Sequence, residues 1–363
     1  MSQDLTLKCY NLTTPDEINS YKKFLNFFKG NEVFYVTEML NDNNEQETYK
    51  RFFILEEKSK NIVLMPFLLR KIKTKKESIP LFDVTSFYGY SGPLYNDDLS
   101  EDKLVVFWKL VDQWYKNNNV ISEFIRFNLD GNHTNYNGHL IPTLLNVKGR
   151  ILENEEEQWN TFIPKIRNNY RKASNNNLYA KVFDTNISED TIHAFHSIYI
   201  STMQRNNADE SYFFSLEFFT NLIHNNPNKC ALVIIYLDKT PISTELVLLN
   251  NQTIYSFLGG TISDFFYYRP NDFLKIEVLK WGRNNGYKFY ILGGGRKDND
   301  NLYKYKKTFF PKEEDATYFT GRKIIDFEKY RKLCSDNGIE EIPSDINQEL
   351  NTHYFPLYRI SNS

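Results

Sequence analysis

Cysteine is scarce in this sequence, and its few thiols form no pattern. The 363 residues contain three cysteines, Cys9, Cys230 and Cys334, which lie far apart along the chain. An odd number of widely separated cysteines predicts neither a disulfide framework nor a metal-binding knuckle. His193 and His196 stand three residues apart on a predicted helix, but no nearby ligand completes a metal site. We therefore expect a reducing compartment and no metal.

The sequence also lacks a long hydrophobic run. Its longest apolar stretch, 62–69, is interrupted by Pro66 and is far shorter than the roughly 20 residues that a membrane helix needs. The first ten residues show no basic region followed by an apolar stretch, so no signal peptide is predicted. We therefore expect a cytoplasmic protein without a membrane span.

Neither sign of charge dominates. The sequence has 44 Lys and Arg residues against 46 Asp and Glu residues, which gives a formal net charge of −2. This balance excludes a uniformly basic surface built to bind nucleic acid in bulk, although it is compatible with a local basic patch. Aromatic residues are abundant instead, with 25 Tyr and 29 Phe, and we attribute them to a compositional bias. The length favours two domains or one large one.

The two halves of the sequence show the same order of predicted elements: a helix, three strands, a helix and a strand. In the first half these are a helix from the capping box at Thr14–Glu17 to Gly30, strands over 49–55, 62–70 and 81–90, a helix over 101–116 capped by Ser100, and a strand over 123–129. In the second half they are a helix from Asn154 to about 175, two more helices capped by Ser188 and Ser215, strands over 231–237, 242–249 and 253–259, a helix over 271–284 and a strand over 288–292. The shared order predicts an α/β fold with two related halves.

A strand–helix–strand unit lies in the second half, between residues 253 and 292. A connection of this length joins parallel strands. Glycines end both strands: Gly259 and Gly260 end the first, and Gly293, Gly294 and Gly295 end the second. Open α/β sheets bind ligands at the carboxyl ends of their strands, where glycines leave backbone N–H groups bare. These five glycines are candidate cofactor-binding residues or, alternatively, tight exits from the strands.

Seven segments of the chain carry a family resemblance. They are 241–248 (PISTELVL), 255–261 (YSFLGGT), 269–275 (RPNDFLK), 292–295 (LGGG), 302–309 (LYKYKKTF), 88–93 (YGYSGP), and Trp159 with 167–173. In this combination and order they resemble the GNAT-superfamily acyltransferases of the FemAB-like type, a group that includes peptidoglycan-bridge aminoacyltransferases. The resemblance covers roughly residues 80 to 310.

The resemblance implies two tandem GNAT-like domains with mixed central sheets. The N-terminal domain would span 1–150, with the segment 318–363 packing back on it, and the C-terminal domain, 151–317, would hold the active cleft. Such enzymes transfer an acyl group from a carrier to an amine. We expect acetyl-CoA or another acyl-CoA as the donor, and an amine of a cell-envelope precursor, such as an amino sugar or a peptide, as the acceptor.

Two alternatives stay open. The peptidoglycan-bridge branch uses aminoacyl-tRNA as the donor, but the long coiled-coil arm that often binds the tRNA is not predicted here because no sustained heptads are present. The second alternative is that the chain is a catalytically silent GNAT-like binding protein. Neither DNA nor a metal ion is an expected partner.

One motif departs from the family. Ordinary GNAT enzymes hold the CoA pyrophosphate with an Arg/Gln-x-x-Gly-x-Gly/Ala loop at the start of the crossover helix. Aligned on Arg269, this chain has Asp272 and Leu274 in the glycine positions. Arg269 and Asn271 are candidate cofactor-binding residues at a helix N-terminus, which attracts anions. Asp272, however, would oppose a phosphate, and Asn271 and Asp272 are also favoured residues for a helix start.

Two residues are the candidate catalytic groups. Glu245 lies on a predicted strand, where apolar neighbours would raise its pKa and make it a suitable base; the alternative is a glutamate that is solvated or paired with a lysine. Lys306 matches the lysine of the Phe-Lys motif of the FemAB-like family, with Tyr305 in place of Phe. The resemblance implies that this lysine binds substrate or stabilises the transition state; the alternative is a solvated basic strand.

The remaining candidates would bind substrate. Arg205 resembles the arginine of the family's Thr-x-x-Arg element. Arg167 and Arg171 lie four residues apart on a predicted helix and would form a basic stripe that grips an anion or faces solvent. Tyr255 and Phe257 are predicted on one face of a strand, where they would line the cleft or pack in the core.

Overall fold

The computed structural model describes residues 5–28, 32–40, 47–74, 79–96, 98–339, 350 and 354–360. The chain forms two compact units. Unit 1 contains residues 1–143 and 318–363, and unit 2 contains residues 144–317. Residue 150, the predicted end of the first domain, lies in unit 2.

The described strands and the described helices are each numbered in the order in which they occur along the chain. The strands are β1 (Leu5–Asn11), β2 (Thr48–Glu57), β3 (Lys60–Lys71), β4 (Phe82–Thr85), β5 (Val120–Arg126), β6 (His139–Arg150), β7 (Leu178–Phe183), β8 (Cys230–Leu237), β9 (Thr240–Asn250), β10 (Thr253–Thr261), β11 (Phe289–Gly293) and β12 (Ala316–Ile324). The helices are α1 (Pro15–Leu25), α2 (Glu101–Asn117), α3 (Glu155–Thr161), α4 (Pro164–Asn175), α5 (Glu189–Arg205), α6 (Leu216–Asn225), α7 (Pro270–Asn284), α8 (Asn301–Lys307) and α9 (Phe327–Asp336).

Unit 1 is built on a mixed sheet with the strand order β1-β2-β3-β4-β5-β12. Only β4 and β5 run parallel; the other neighbours in this order are antiparallel. Helix α2 connects the parallel pair, and its side chains Phe107, Trp108 and Val111 are fully buried against the sheet. A strand–helix–strand crossover of this kind places the helix over one face of the sheet.

Unit 2 repeats this arrangement with the strand order β6-β11-β10-β9-β8-β7. Here β10 and β11 are the parallel pair, joined by α7, and the other neighbours are antiparallel. Helices α5 and α7 both contact β8 and β9. Because both faces of these strands are covered, β8 and β9 carry nearly continuous buried runs, in contrast to the alternation of a half-exposed strand.

Several predicted elements are correct in kind but wrong in extent. The capping box at Thr14 and Glu17 is present, yet α1 ends at Leu25, and residues 29–31, which include the predicted stop Gly30, lie outside the described part of the chain. The strand predicted over 81–90 ends at Thr85, because the glycine- and proline-containing segment 86–93 forms a loop. The strand predicted over 123–129 begins three residues earlier, at Val120.

Two other predictions are wrong in kind. The single helix predicted from Asn154 to about 175 is two helices, α3 and α4, because Pro164 can only begin a helix and biases the preceding residue toward extended backbone. Lys304, Lys306 and Lys307 lie on helix α8 and not on a basic strand. Within the described ranges, no helix is both long and apolar enough to cross a bilayer.

Candidate active site

The parallel strands of unit 2 separate toward their carboxyl ends. Strands β10 and β11 pair only from Thr253–Phe289 to Tyr255–Ile291. Beyond that point β10 continues to Thr261 and stays paired with β9, whereas β11 ends at Gly293. Past Tyr255 and Ile291 the two strands no longer pair with each other, and open α/β sheets bind their ligands at the carboxyl ends of their strands.

A buried cluster of polar side chains lies beside this separation. Glu245 of β9 is 4% exposed, and its Oε1 accepts a hydrogen bond from Lys275 Nζ at 2.5 Å and another from the Ser256 hydroxyl. Its Oε2 accepts a hydrogen bond from the Tyr290 hydroxyl at 2.7 Å. Lys275 Nζ lies 3.0 Å from Ser256 Oγ and 3.2 Å from Tyr290 OH. We call Glu245, Ser256, Lys275 and Tyr290 the glutamate cluster.

This environment differs from the one predicted for Glu245. Its side-chain neighbours are an ammonium and two hydroxyl groups, so the glutamate is paired with a lysine, which was the alternative interpretation. Both carboxylate oxygens of Glu245 are engaged, because three hydrogen bonds are donated to them. Burial and the neighbouring Glu245 charge raise the pKa of Tyr290 well above its ordinary value, so Tyr290 acts as a hydrogen-bond donor.

Lys306 projects from α8 toward the end of β11. Its Nζ donates a hydrogen bond to the carbonyl oxygen of Gly294 at 2.7 Å. Among the described residues no carboxylate lies within ion-pair distance of this ammonium. Burial and, to a smaller extent, the charge of Lys275 lower the pKa of Lys306 to about 8, against the opposing influence of Glu245 and Asp300. Lys306 and the glutamate cluster therefore belong to one electrostatic site.

The glycines of the two strands have different settings. Gly259 and Gly260 lie inside β10 and pair with Glu245 and Thr244, so the prediction that they end the strand is wrong. At Gly260 a Cβ atom would come within 2.3 Å of Thr202 Oγ1, so this glycine lets α5 approach the sheet closely.

The glycines after β11 form the backbone around Lys306. Gly293 ends the strand with a φ of 75°, a conformation that favours glycine, and a Cβ atom there would lie 3.5 Å from Lys306 Nζ. Gly294 supplies the carbonyl that Lys306 binds, and Gly295 leaves room for the side chain of Asp300, which caps α8. Their predicted contact with a cofactor stays a prediction.

The N-terminus of α7 lies near α8. Asn271 Nδ2 donates a hydrogen bond to the Tyr305 hydroxyl at 2.8 Å. Asp272 is 7% exposed; its Oδ2 accepts a hydrogen bond from Asn169 Nδ2 at 2.8 Å, while in the described part of the chain its buried Oδ1 has no well-formed hydrogen bond. Burial raises the pKa of Asp272, against the influence of Tyr305 and Asn169. Arg269, the residue before α7, is exposed with a φ of 62°.

The predicted substrate-binding arginines lie on the surface of unit 2. Arg205, at the end of α5, donates a hydrogen bond to the Thr261 carbonyl at 2.6 Å, and its guanidinium lies 4.9 Å from the ring centre of Phe266. Arg171 lies 5.4 Å from the ring centre of Trp159. The side chain of Arg167 makes no hydrogen bond or ion pair with any described residue. The helix stripe therefore faces outward, with at least one cation unpaired.

The two predicted cleft aromatics differ from each other. Tyr255 is 5% exposed and lies in the core of the sheet, whereas Phe257 is half-buried. Strand β10 has a bulge between Ser256 and Leu258, and this bulge interrupts the alternation from which a shared face was predicted. Core packing is therefore the setting of Tyr255, and a cleft role is a proposal for Phe257 alone.

Comparison with known proteins places this site in a family. Residues 164–307 match the family model described as "Acetyltransferase (GNAT) domain". A solved structure titled "Crystal structure of FemX" superposes with a TM-score of 0.61 at 14% identity, covering 90% of this chain and 99% of that one. Residues 164–307 therefore form a GNAT-type acetyltransferase domain, and the chain has a FemX-like fold. The predicted fold class is thereby confirmed, and the predicted GNAT family is confirmed for residues 164–307.

Other solved structures share the fold of this acyltransferase. The structure of L-PGS from Bacillus licheniformis gives a TM-score of 0.56 at 13% identity, covering 86% of this chain and 93% of that one. A conserved protein of unknown function from Bacteroides thetaiotaomicron VPI-5482 gives 0.54 at 10% identity, covering 88% and 100%. No curated protein matches the chain.

Sequence reasoning missed three members of the glutamate cluster: Lys275, Ser256 and Tyr290. Lys275 had a detectable signal, because it stands on the buried side of a helix between Leu274 and Ile276 and one turn before Val278 and Leu279. A lysine in such surroundings is seldom buried without a partner. No cluster of metal-ligating side chains occurs in the ranges that the structure describes.

Proposed function

We propose that this acyltransferase moves an acyl group from an activated carrier directly to an amine, with Lys306 at the reacting centre. The observation that carries the proposal is the setting of Lys306: a largely buried ammonium at the end of β11, bonded only to a carbonyl oxygen and unpaired with any described carboxylate. Such an ammonium is available to a developing negative charge.

The chemistry needs no covalent enzyme intermediate. The amine nitrogen attacks the carbonyl carbon of the donor, and the carbonyl oxygen becomes a tetrahedral oxyanion. When this intermediate collapses, the bond between the acyl carbon and the carrier breaks, and the proton of the attacking nitrogen passes to the departing oxygen or sulfur, so that a neutral amide and the protonated carrier are formed. Lys306 Nζ donates a hydrogen bond to the oxyanion, and the carboxyl ends of β10 and β11 hold the donor. We assign no base role to Glu245, because its carboxylate already accepts three hydrogen bonds.

Two carriers are compatible with this chemistry, and one observation distinguishes them. An acyl-CoA would place its pyrophosphate at the start of α7, where the carboxyl group of Asp272 and the side chain of Leu274 are buried. The Asp272 carboxylate would repel an anion at this helix end, which would otherwise be attracted by the backbone N–H groups of the first turn. Asp272 therefore favours the second candidate, an aminoacyl ester of tRNA, over acetyl-CoA.

The proposed acceptor is an amine of a cell-envelope precursor, either a peptide or an amino sugar. The support is the FemX-like fold together with the FemAB-like segments in and around unit 2. The acceptor amine must be uncharged to attack, so a site whose own nearest charge is an ammonium suits it: the cation disfavours a protonated amine.

A transfer assay with the full chain tests the proposal. Radiolabelled acetyl-CoA and tRNA charged with labelled amino acids would be offered separately, with UDP-linked peptidoglycan precursors and amino sugars as acceptors. We expect label to appear in an amide, and Lys306→Met to reduce its formation on the order of 10²–10³-fold. Lys304→Met, which changes an exposed lysine of the same helix, is the matched control. Undiminished transfer by Lys306→Met would contradict the proposal.

A further inference from the structure

Two lysines interact with one buried carboxylate in this site, but only one of them forms an ion pair with it. Lys275 Nζ lies 2.5 Å from Glu245 Oε1, and the two side chains are 9% and 5% exposed. Lys306 feels the charges of both Lys275 and Glu245, but it is hydrogen-bonded to a backbone carbonyl. Lys275 therefore forms an ion pair with the Glu245 carboxylate, whereas Lys306 forms none with any described carboxylate.

We propose that Lys275 is a positioning residue of acyl transfer: by occupying Glu245, it keeps the Lys306 ammonium free to face the donor. The inference rests on the proposed role of Lys306 and assigns a function to the glutamate cluster, which otherwise has none in the reaction. Ser256 and Tyr290 complete the arrangement, since their hydroxyl groups donate two further hydrogen bonds to Glu245.

The physical reason is the cost of a buried carboxylate without a counter-ion. If Lys275 were absent, Glu245 would keep two hydroxyl donors but lose its cation, and this is strongly unfavourable in a buried position. Lys306 is the other cation that interacts with Glu245, so it would be drawn into an ion pair. A paired ammonium is a weaker donor to an oxyanion, because its charge is already compensated.

Within the described part of the chain, the charged groups that influence Lys306 come from three elements. Lys275 faces it from α7, Glu245 from β9 and Asp300 from the start of α8. Asp300 is already engaged, because its carboxylate accepts hydrogen bonds from the backbone N–H groups of residues 296, 297 and 303. Glu245 is therefore the carboxylate for which Lys306 and Lys275 compete.

Trace labelling with acetic anhydride tests this without a substrate. The full chain is labelled over a range of pH, and acetylation of each lysine is read by peptide mass spectrometry. In the wild type we expect Lys306 to label with a midpoint at about pH 8. In Lys275→Met the midpoint should rise by about one unit or more, because Glu245 then stabilises the charged form of Lys306. Lys275→Arg keeps the cation and should restore the wild-type midpoint.

A second variant covers the case in which Lys275→Met does not fold. Glu245→Gln removes the carboxylate from both lysines and should move the Lys306 midpoint downward, since Glu245 opposes the lowering of its pKa. Lys280→Met, on the same helix but paired with Glu277, is the matched control and should change nothing.

An unmoved Lys306 midpoint in folded Lys275→Met, or in Glu245→Gln, would overturn the inference. Failure of the proposed function would look different. The midpoints would shift as described, but Lys306→Met would transfer acyl groups as well as the wild type. That result would leave the competition for Glu245 intact and remove only its place in catalysis.

Discussion

Lys306 combines a buried setting with an uncompensated charge, and the two together make folding depend on pH. Its pKa falls from an ordinary 10.5 to about 8 in the folded chain. Below pH 8 both the folded and the unfolded chain carry the proton, and the folded state bears the full cost of a desolvated charge. Between about pH 8 and 10.5 the unfolded chain binds more protons, so the contribution of Lys306 to stability becomes more favourable as pH rises.

Replacing this lysine should therefore stabilise the chain most at neutral pH. We expect Lys306→Met to have a larger free energy of unfolding than the wild type, with a gap that shrinks as pH rises above 8 because the wild type then loses the buried charge. Urea unfolding of both proteins at matched pH values measures the gap. Lys304→Met, an exposed neighbour, should show a gap that does not depend on pH; a pH-independent gap for Lys306→Met would argue against the buried charge.

The proposed preference for the donor depends on a second single residue, Asp272. If its carboxylate excludes a pyrophosphate from the start of α7, wild-type protein should show no thermal stabilisation with acetyl-CoA at about 1 mM, the upper end of ordinary KM values. Asp272→Gly removes both charge and side chain, and we expect it to bind acetyl-CoA at least tenfold more tightly. Thermal shift measures this, because a ligand stabilises the state that it binds.

Asp272→Asn separates charge from shape in this experiment. It keeps the volume of the side chain and an oxygen that accepts the hydrogen bond from Asn169. Its affinity for acetyl-CoA should rise if charge repulsion is the main barrier, and it should stay unchanged if lack of space is the main barrier. Tight binding of acetyl-CoA by the wild type would restore acyl-CoA as the favoured donor.

The close packing of helix α5 on strand β10 depends on Gly260. Gly260→Ala would place a methyl group 2.3 Å from Thr202 Oγ1 and 2.8 Å from the carbonyl oxygen of Ile198. The helix must then move away from the sheet, and we expect a loss of about 1–3 kcal/mol in the free energy of unfolding. Urea denaturation measures the loss. Adding Thr202→Ala should recover part of it, and a cost equal to the sum of the two single changes would count against this contact.

The elements that could be predicted from the sequence are those with strong local signals. Strands β8, β9 and β10 are apolar and bounded by turn residues, and α5 and α6 begin at serines whose side chains cap them. The break at Pro164 was also available from the sequence, since proline restricts the residue before it. Lys306 was found through its motif, although its helical setting was not.

What could not be predicted depends on contacts between elements that are distant in the sequence. Glu245 was expected among apolar neighbours, but the pairing of β9 with β10 and the docking of α7 bring Ser256 and Lys275 to it. No local pattern encodes that register. The bulge after Ser256, which separates the settings of Tyr255 and Phe257, is likewise invisible to an argument from alternation.

At the scale of the whole molecule, the charge balance limits how the chain can hold a large polyanion. With a formal net charge of −2, attraction to tRNA must come from local cations. The stripe on α4 is the candidate surface: Arg167 is unpaired among the described residues, and Lys172 lies 3.2 Å from the ring centre of Tyr267. Exposed rings beside cations suit an unpaired nucleic acid strand, because bases stack on the rings.

If tRNA is the carrier, this arrangement predicts weak binding that falls as the salt concentration rises. Each phosphate that a cation neutralises contributes about 0.7 to 0.9 to the slope of log K against log salt. Arg167→Ala should weaken binding at low salt and reduce the slope by just under one, whereas Lys239→Ala, an exposed lysine in the β8–β9 turn, should do neither. Filter retention of charged tRNA across a salt series measures both quantities. Equal slopes for Arg167→Ala and the wild type would exclude the α4 stripe as the contact, and binding insensitive to salt would exclude tRNA as the carrier.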